Sequence, residues 1–158
     1  MTKEIGEKLK KMFIESLGRK FVFESEMDNI KKIIIKDFCI FCQEKLGIKE
    51  LPLIKIVSKR GSDMSTGAYV PQLNRIKVLA GKRALLDILR SIAHELVHRS
   101  QDEKGLLKDI GAQGDRGKDD KSDIGVWFED EANAGAGALV KEFSRTYHKV
   151  PSNSLYEL

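Results

Sequence analysis

Apolar residues recur at helical spacing at Ile5, Leu9, Met12, Phe13 and Leu17, which predicts an amphipathic first helix ending near Gly18. Phe21-Val22-Phe23 is short and apolar. After it, Ser25-Glu26-Met27-Asp28 resembles a capping box opening a second helix that runs to about Leu46 and stops at Gly47. Leu53 to Val57, entered from Pro52, reads as a strand, and Gly67 to Leu79 reads as two strands joined around Pro71-Gln72-Leu73-Asn74. A third helix is predicted from about Lys82 to Gln101, with Leu85, Leu86, Leu89, Ile92, Ala93, Leu96 and Val97 on its core side. Residues 102–125 break the pattern. Gly105, Gly111, Gly114, Gly117 and Gly125 alternate there with Asp and Lys, predicting a long flexible loop. A last helix from about Val126 to Tyr147 carries a run of Ala and Gly, small enough to approach a neighbouring helix closely. The polar tail after Pro151 reads as frayed.

Within the third helix stands His94-Glu95-Leu96-Val97-His98, an H-E-x-x-H. Two imidazoles four residues apart lie one above the other on one helical face, close enough to share a tetrahedral zinc. Glu95, beside the first of them, can reach a metal-activated water as general base. With three His and thirteen Glu in 158 residues, the pentad is expected by chance only about 0.005 times. Two His ligands still require a third protein ligand and an open position for water.

Downstream, Trp127-Phe128-Glu129-Asp130-Glu131-Ala132-Asn133 places E-x-E-A-N after the H-E-x-x-H. This pairing of motifs resembles the two active-site helices of gluzincin metallopeptidases. The stretch from Gly67 through Leu79 and on to His98 is similar to small phage-encoded metallopeptidases, and the whole arrangement to ImmA/IrrE-like peptidases. The resemblance spans about residues 50–146. It implies an α+β, zincin-like domain over residues 1–158, in which N-terminal helices pack on a small mixed three-stranded sheet followed by the H-E-x-x-H helix and a C-terminal Glu-ligand helix. It implies one Zn²⁺ per chain, held by His94, His98 and Glu129, with Asn133 steadying an imidazole, that of His94, from behind. The family commonly has Asp where this chain has Asn133, so the supported imidazole is expected to be less basic. Glu131, about 200° around the helix from Glu129, is the rival third ligand. The resemblance further implies that Gly67, Ala68, Tyr69 and Val70 form an exposed edge strand that pairs with extended substrate; an ordinary covered hairpin strand is the other reading.

Composition adds limits. At 158 residues the chain is long enough for one domain, and its formal charge of +4 is uneven. Residues 1–60 hold fourteen Lys/Arg against nine Asp/Glu, whereas residues 61–158 hold fourteen against fifteen. The basic front half could meet nucleic acid, but its charges alternate in sign along helices, as solvated faces do, and no nucleic-acid motif accompanies them. Peptide or protein is the expected partner, and membrane is not. The first residues lack a signal-peptide core and no segment is apolar enough to span a bilayer, so a cytoplasmic location is expected, in the host cell if the chain is phage-encoded. Cys39 and Cys42 form C-x-x-C inside an apolar helical run, which points to core thiols rather than a redox pair. Asp115, Asp119, Asp120 and Asp123 do not follow a calcium-loop pattern.

The expected reaction is hydrolysis of peptide bonds, with water activated by zinc and Glu95. Tyr69, Tyr147 and His148 carry the right chemistry for an oxyanion donor, although spacing assigns none of them the role. A catalytically silent, zinc-stabilised binding protein for a host protein or DNA is the alternative; it has no need of Glu95. A further variant is a latent peptidase with residues 1–26, read as an N-terminal helical extension, covering the cleft.

Overall fold

The computed structural model describes residues 3–59, 66–107, 123–151 and 154–158. Its elements are helix α1 (Lys3–Gly18), strand β1 (Phe21–Glu24), helix α2 (Asn29–Leu46), strands β2 (Leu53–Val57) and β3 (Gly67–Val70), a 3-10 turn over Pro71–Leu73, strand β4 (Arg75–Leu79), helices α3 (Leu85–Glu103) and α4 (Asp123–Thr146), and the short helix α5 (Ser154–Glu157). The class is α+β, with a mixed sheet in the order β1-β2-β4-β3. β1, β2 and β4 run parallel, and β3 closes antiparallel on β4.

Register explains which face of the sheet is core. One row across the four strands is Phe21–Ile54–Ile76–Tyr69, and the next is Phe23–Ile56–Val78–Gly67. Every member of the first row is buried. The row between them, Val22–Lys55–Lys77–Ala68, lies on the opposite face and is more open. This period-two alternation puts the apolar side under the helices. The second row ends in a residue without a side chain, and that gap bears on the site below.

α2 covers the core with Ile34, Ile35, Phe38, Cys39 and Cys42, all fully buried. It ends at Gly47, whose φ of 67° and amide bonds back to the last turn make a left-handed cap that glycine adopts at least cost. α3 is the central helix, packing on β3 and β4, on α2 and along α4. The α3–α4 approach is close: a Cβ on Gly135 would stand 3.1 Å from Val97 Cγ2. Farther along α4, Phe143 stacks on Tyr147 and meets Phe38 and Phe41 of α2. The Tyr147 hydroxyl also donates to Asp37 at 2.7 Å. These contacts anchor the C-terminal half of α4 on α2, which leaves its N-terminal half to face the middle of α3.

Several expectations are corrected. The sheet has four strands rather than three, because Phe21–Glu24 pairs in parallel with β2. Residues 1–26 are therefore not a helical extension alone. α2 packs its apolar stripe into the core, whereas on α1 Ile5, Leu9 and Met12 are about half exposed and Leu17 is partly buried against the core. The cap of α2 is Asp28, which makes no side-chain hydrogen bond, so no capping box forms. Of the predicted loop 102–125, residues 102–103 belong to α3 and 123–125 to α4, whereas 108–122, with Asp115, Asp119 and Asp120, lie outside the described residues. Cys39 and Cys42 are core thiols as expected, and burial pushes both far above the usual thiol range. Among the described residues no helix is long and apolar enough to cross a membrane.

Candidate metal centre

The H-E-x-x-H lies mid-helix in α3, where His94 and His98 point toward α4 with their ring centroids 4.8 Å apart. Glu129 comes from the opposing face of α4. Its Oε1 is 2.7 Å from His98 Nε2, and its Oε2 is 3.3 Å from His94 Nε2. One ligand atom from each of the three residues lies within 4.8 Å of the others, a group that can hold a metal ion. Ligands at zinc bond lengths around a tetrahedral centre stand about 3.3 Å apart. His94 Nε2 stands at that distance from Oε2, and the three ligand atoms, within 4.8 Å of one another, have to draw together only modestly to share one ion.

The rival carboxylate is directed elsewhere. Glu131 Oε1 accepts from Gln101 Nε2 at 2.9 Å, on the flank of the helix pair. Gln101 itself is almost fully buried and was not legible as part of the site. Its amide nitrogen also donates to the Phe128 carbonyl at 3.1 Å. With two acceptors fixing the amide nitrogen, Gln101 Oε1 must face His98, where it lies 2.8 Å from Nδ1. Oε1 can only accept. His98 therefore carries its proton on Nδ1, and its Nε2 lone pair points at Glu129.

That assignment gives a chemical test of the site. A lone pair on Nε2 facing a carboxylate oxygen at 2.7 Å is repulsive unless a proton or a metal cation lies between them. The donor set of two imidazole nitrogens and one carboxylate fits a divalent ion of zinc type. Without metal, protons do the same work. Hydrogen bonds to His94 and then to His98 hold the Glu129 carboxyl well below the usual carboxylate range, against the opposing effect of burial. Burial disfavours a charged His94, but its hydrogen bond to Glu129, the Glu95 and Glu129 charges and its hydrogen bond to Asn133 outweigh burial and raise it. Asn133, at i+4 from Glu129, thus meets the imidazole that the resemblance implies for it.

Glu95 is buried beside β3, the edge strand of the sheet. Here the missing side chain of the second sheet row matters. A Cβ on Gly67 would stand 3.4 Å from Glu95 Cγ and 3.5 Å from its Oε1, in van der Waals contact with the carboxylate side chain. Gly67, Glu95, His94 and Asn133 line a common cleft of about 290 Å³, together with Asp87, Arg90 and Ser91 of α3 and Arg83 just before it. Ala68 and Val70 alternate away from that face, and Tyr69 is buried under α3.

The structure brings none of the three oxyanion candidates to the metal group. The Tyr69 hydroxyl donates to Asp102 at 2.6 Å, and burial followed by that bond pushes it up to about 12. Tyr147 is held by Asp37, and His148 is exposed beyond the end of α4. None of the residues lining the cleft comes from 1–26, so among the described residues nothing supports a covering N-terminal segment. Comparison with protein-family models, with curated proteins and with solved structures gave no match.

Proposed function

We propose that this protein is a zinc-dependent metallopeptidase of gluzincin type, with a zincin-like arrangement of α3, α4 and the β3 edge. The observation that carries the reading is Glu95: a buried carboxylate next to a converging His94–His98–Glu129 ligand set, opening on a cleft. A site that only stabilised the fold would close its coordination and would have no use for a buried base beside it. Zinc, when bound by the three ligands, lowers the pKa of a water and polarises the scissile carbonyl.

The chain supplies the rest. Glu95 takes the proton from the attacking water and passes it to the leaving nitrogen. Gln101 and Asn133 hold His98 and His94 in the ring orientations that direct lone pairs inward. β3 runs along the rim, and an extended substrate lies against this edge as an added strand.

The test is peptide hydrolysis by zinc-loaded protein. Cleavage of a mixed peptide library should cease with o-phenanthroline and return with Zn²⁺. Glu95→Gln should keep its metal and lose about 10²–10⁴-fold in turnover, the range of general-base catalysis. Full metal loading without cleavage of any peptide, or undiminished cleavage by Glu95→Gln, would reject the reading.

A further inference from the structure

The cleft beside Glu95 is not chemically neutral in outline. Two guanidinium groups line it, those of Arg83 and Arg90, together with Asp87 and Ser91. The two arginines differ in what they already hold. Arg83 donates to the Leu79 carbonyl at 2.7 Å, to the Asp87 carbonyl at 3.0 Å and to Ser91 Oγ at 2.9 Å, so it braces the entry to α3. Arg90 makes no hydrogen bond or ion pair among the described residues. Its guanidinium lies over the small-residue stripe of α4, with Nη2 3.8 Å from where a Cβ on Gly137 would be.

Arg90 is four residues before His94, about 6 Å along α3 on the same face. In the proposed reaction Glu95 delivers its proton to the leaving nitrogen, so the substrate residue bearing that nitrogen sits beside Glu95. The side chain of that residue is the one that enters this cleft. Charge in the cleft balances as follows: Arg83 and Arg90 offset Asp87 and Glu95, and a divalent ion on the Glu129 side makes the whole positive.

We propose that this cleft is a carboxylate-reading subsite, in which Arg90 pairs with an acidic side chain on the residue after the scissile bond or with the free carboxylate of a chain that ends there. Two parallel N–H···O bonds suit a guanidinium to either source. The inference rests on the peptidase reading above. Asp87 weakens the preference without cancelling it, because it is the single carboxylate in the pocket outside the metal group's own base.

Binding and cleavage are measured separately. Zinc-loaded Glu95→Gln protein is titrated with N-acetylated alanine-flanked hexapeptides carrying Glu, Gln or Lys at one position, each as free acid and as C-terminal amide; cleavage sites of the same peptides are mapped with wild type. Glu should bind about tenfold tighter than Gln. That margin should vanish in Arg90→Gln, persist in part in Arg90→Lys, turn toward the Lys peptide in Arg90→Glu and widen in Asp87→Asn. If the margin follows the free acid rather than the Glu side chain, the chain end is the source. Equal affinity for Glu and Gln, a margin that survives Arg90→Gln, or no binding of any peptide overturns the subsite. Wild-type cleavage without acidic preference sinks the subsite and spares the peptidase; acidic preference in binding without cleavage does the reverse.

Discussion

α3 carries two polar clusters one turn apart, and they are built on opposite principles. At its C-terminal end, Tyr69 donates to Asp102, while Arg99 donates to Tyr69, to the Glu50 carbonyl and to Glu103. Glu103 in turn accepts from the amides of Lys49 and Glu50 at 2.9 and 3.0 Å. Each of the three Arg99 side-chain nitrogens meets an acceptor, and the network ties the 48–51 turn and β3 to the helix. One turn earlier, His94, His98 and Glu129 bring three ligand atoms within 4.8 Å of one another, a group that protons or a metal cation must bridge. A closed network stabilises; a convergent set of acceptors awaits a cation. Polar residues packed against a core do not by themselves mark a site, and the direction of their protons is what separates the two clusters.

Mutations should respect that division. The largest effect is expected from His98→Ala, which removes a ligand and should cost metal affinity beyond the about 100-fold that bounds the loss of a supporting residue. Thermal unfolding of the metal-free protein should change much less. Affinity measured by competition with a chromogenic chelator gives the answer, and an unchanged value would mean that the cluster does not bind metal.

Next comes Gln101→Leu. Without an acceptor for Nδ1–H, His98 loses its fixed tautomer, and metal affinity should fall about 10–100-fold. Glu131→Ala should fall less, because it removes only one of the two acceptors that orient the Gln101 amide. An effect of Glu131→Ala larger than that of Gln101→Leu would break the proposed order of support.

How far the sequence discloses this arrangement depends on the range of the signal. His94, Glu95 and His98 are local, fixed by 3.6-residue periodicity; Glu129 and Asn133 are legible only through resemblance to the second gluzincin motif, the i+4 spacing then putting both on one face. Gly47 is legible because a left-handed helix end is a one-residue property. Gln101 is not legible: a glutamine three residues past His98 reads as a solvated position until Phe128 and Glu131 close over it from α4. β1 escapes notice because four residues carry too little alternation, and its partner β2 lies beyond the whole of α2. The apolar spacing of α1 is real, but spacing cannot say that Ile5, Leu9 and Met12 stay half exposed. Arg83 and Arg90 look like ordinary surface charges until the fold turns them into the wall of a cleft.

In the other cluster, Tyr69→Phe removes the 2.6 Å bond to Asp102 and should cost about 1–3 kcal/mol of stability. Metal affinity should not move. A coupled loss of both would join the two clusters into one unit.

The smallest effect is one of pH on the metal-free protein. His94 is raised above its ordinary value of 6.5, so its contribution is full below that pH and fades as pH climbs through the raised value. Glu129 is lowered from 4.5, so its contribution is present above that value and fades only in strong acid. The metal-free protein should therefore lose thermal stability as pH rises above 6.5. Zinc should reverse the trend over the same interval, since metal and protons compete for the same lone pairs. Scanning calorimetry at several pH values, with and without Zn²⁺, reads both slopes.

The most direct test is metal stoichiometry, measured by elemental analysis after dialysis against limiting free Zn²⁺, on wild type, Glu129→Ala and Glu131→Ala. One zinc per chain in wild type and in Glu131→Ala, with none retained by Glu129→Ala, is the predicted result. A wild type without zinc, or a Glu129→Ala protein that still holds one, would contradict the account.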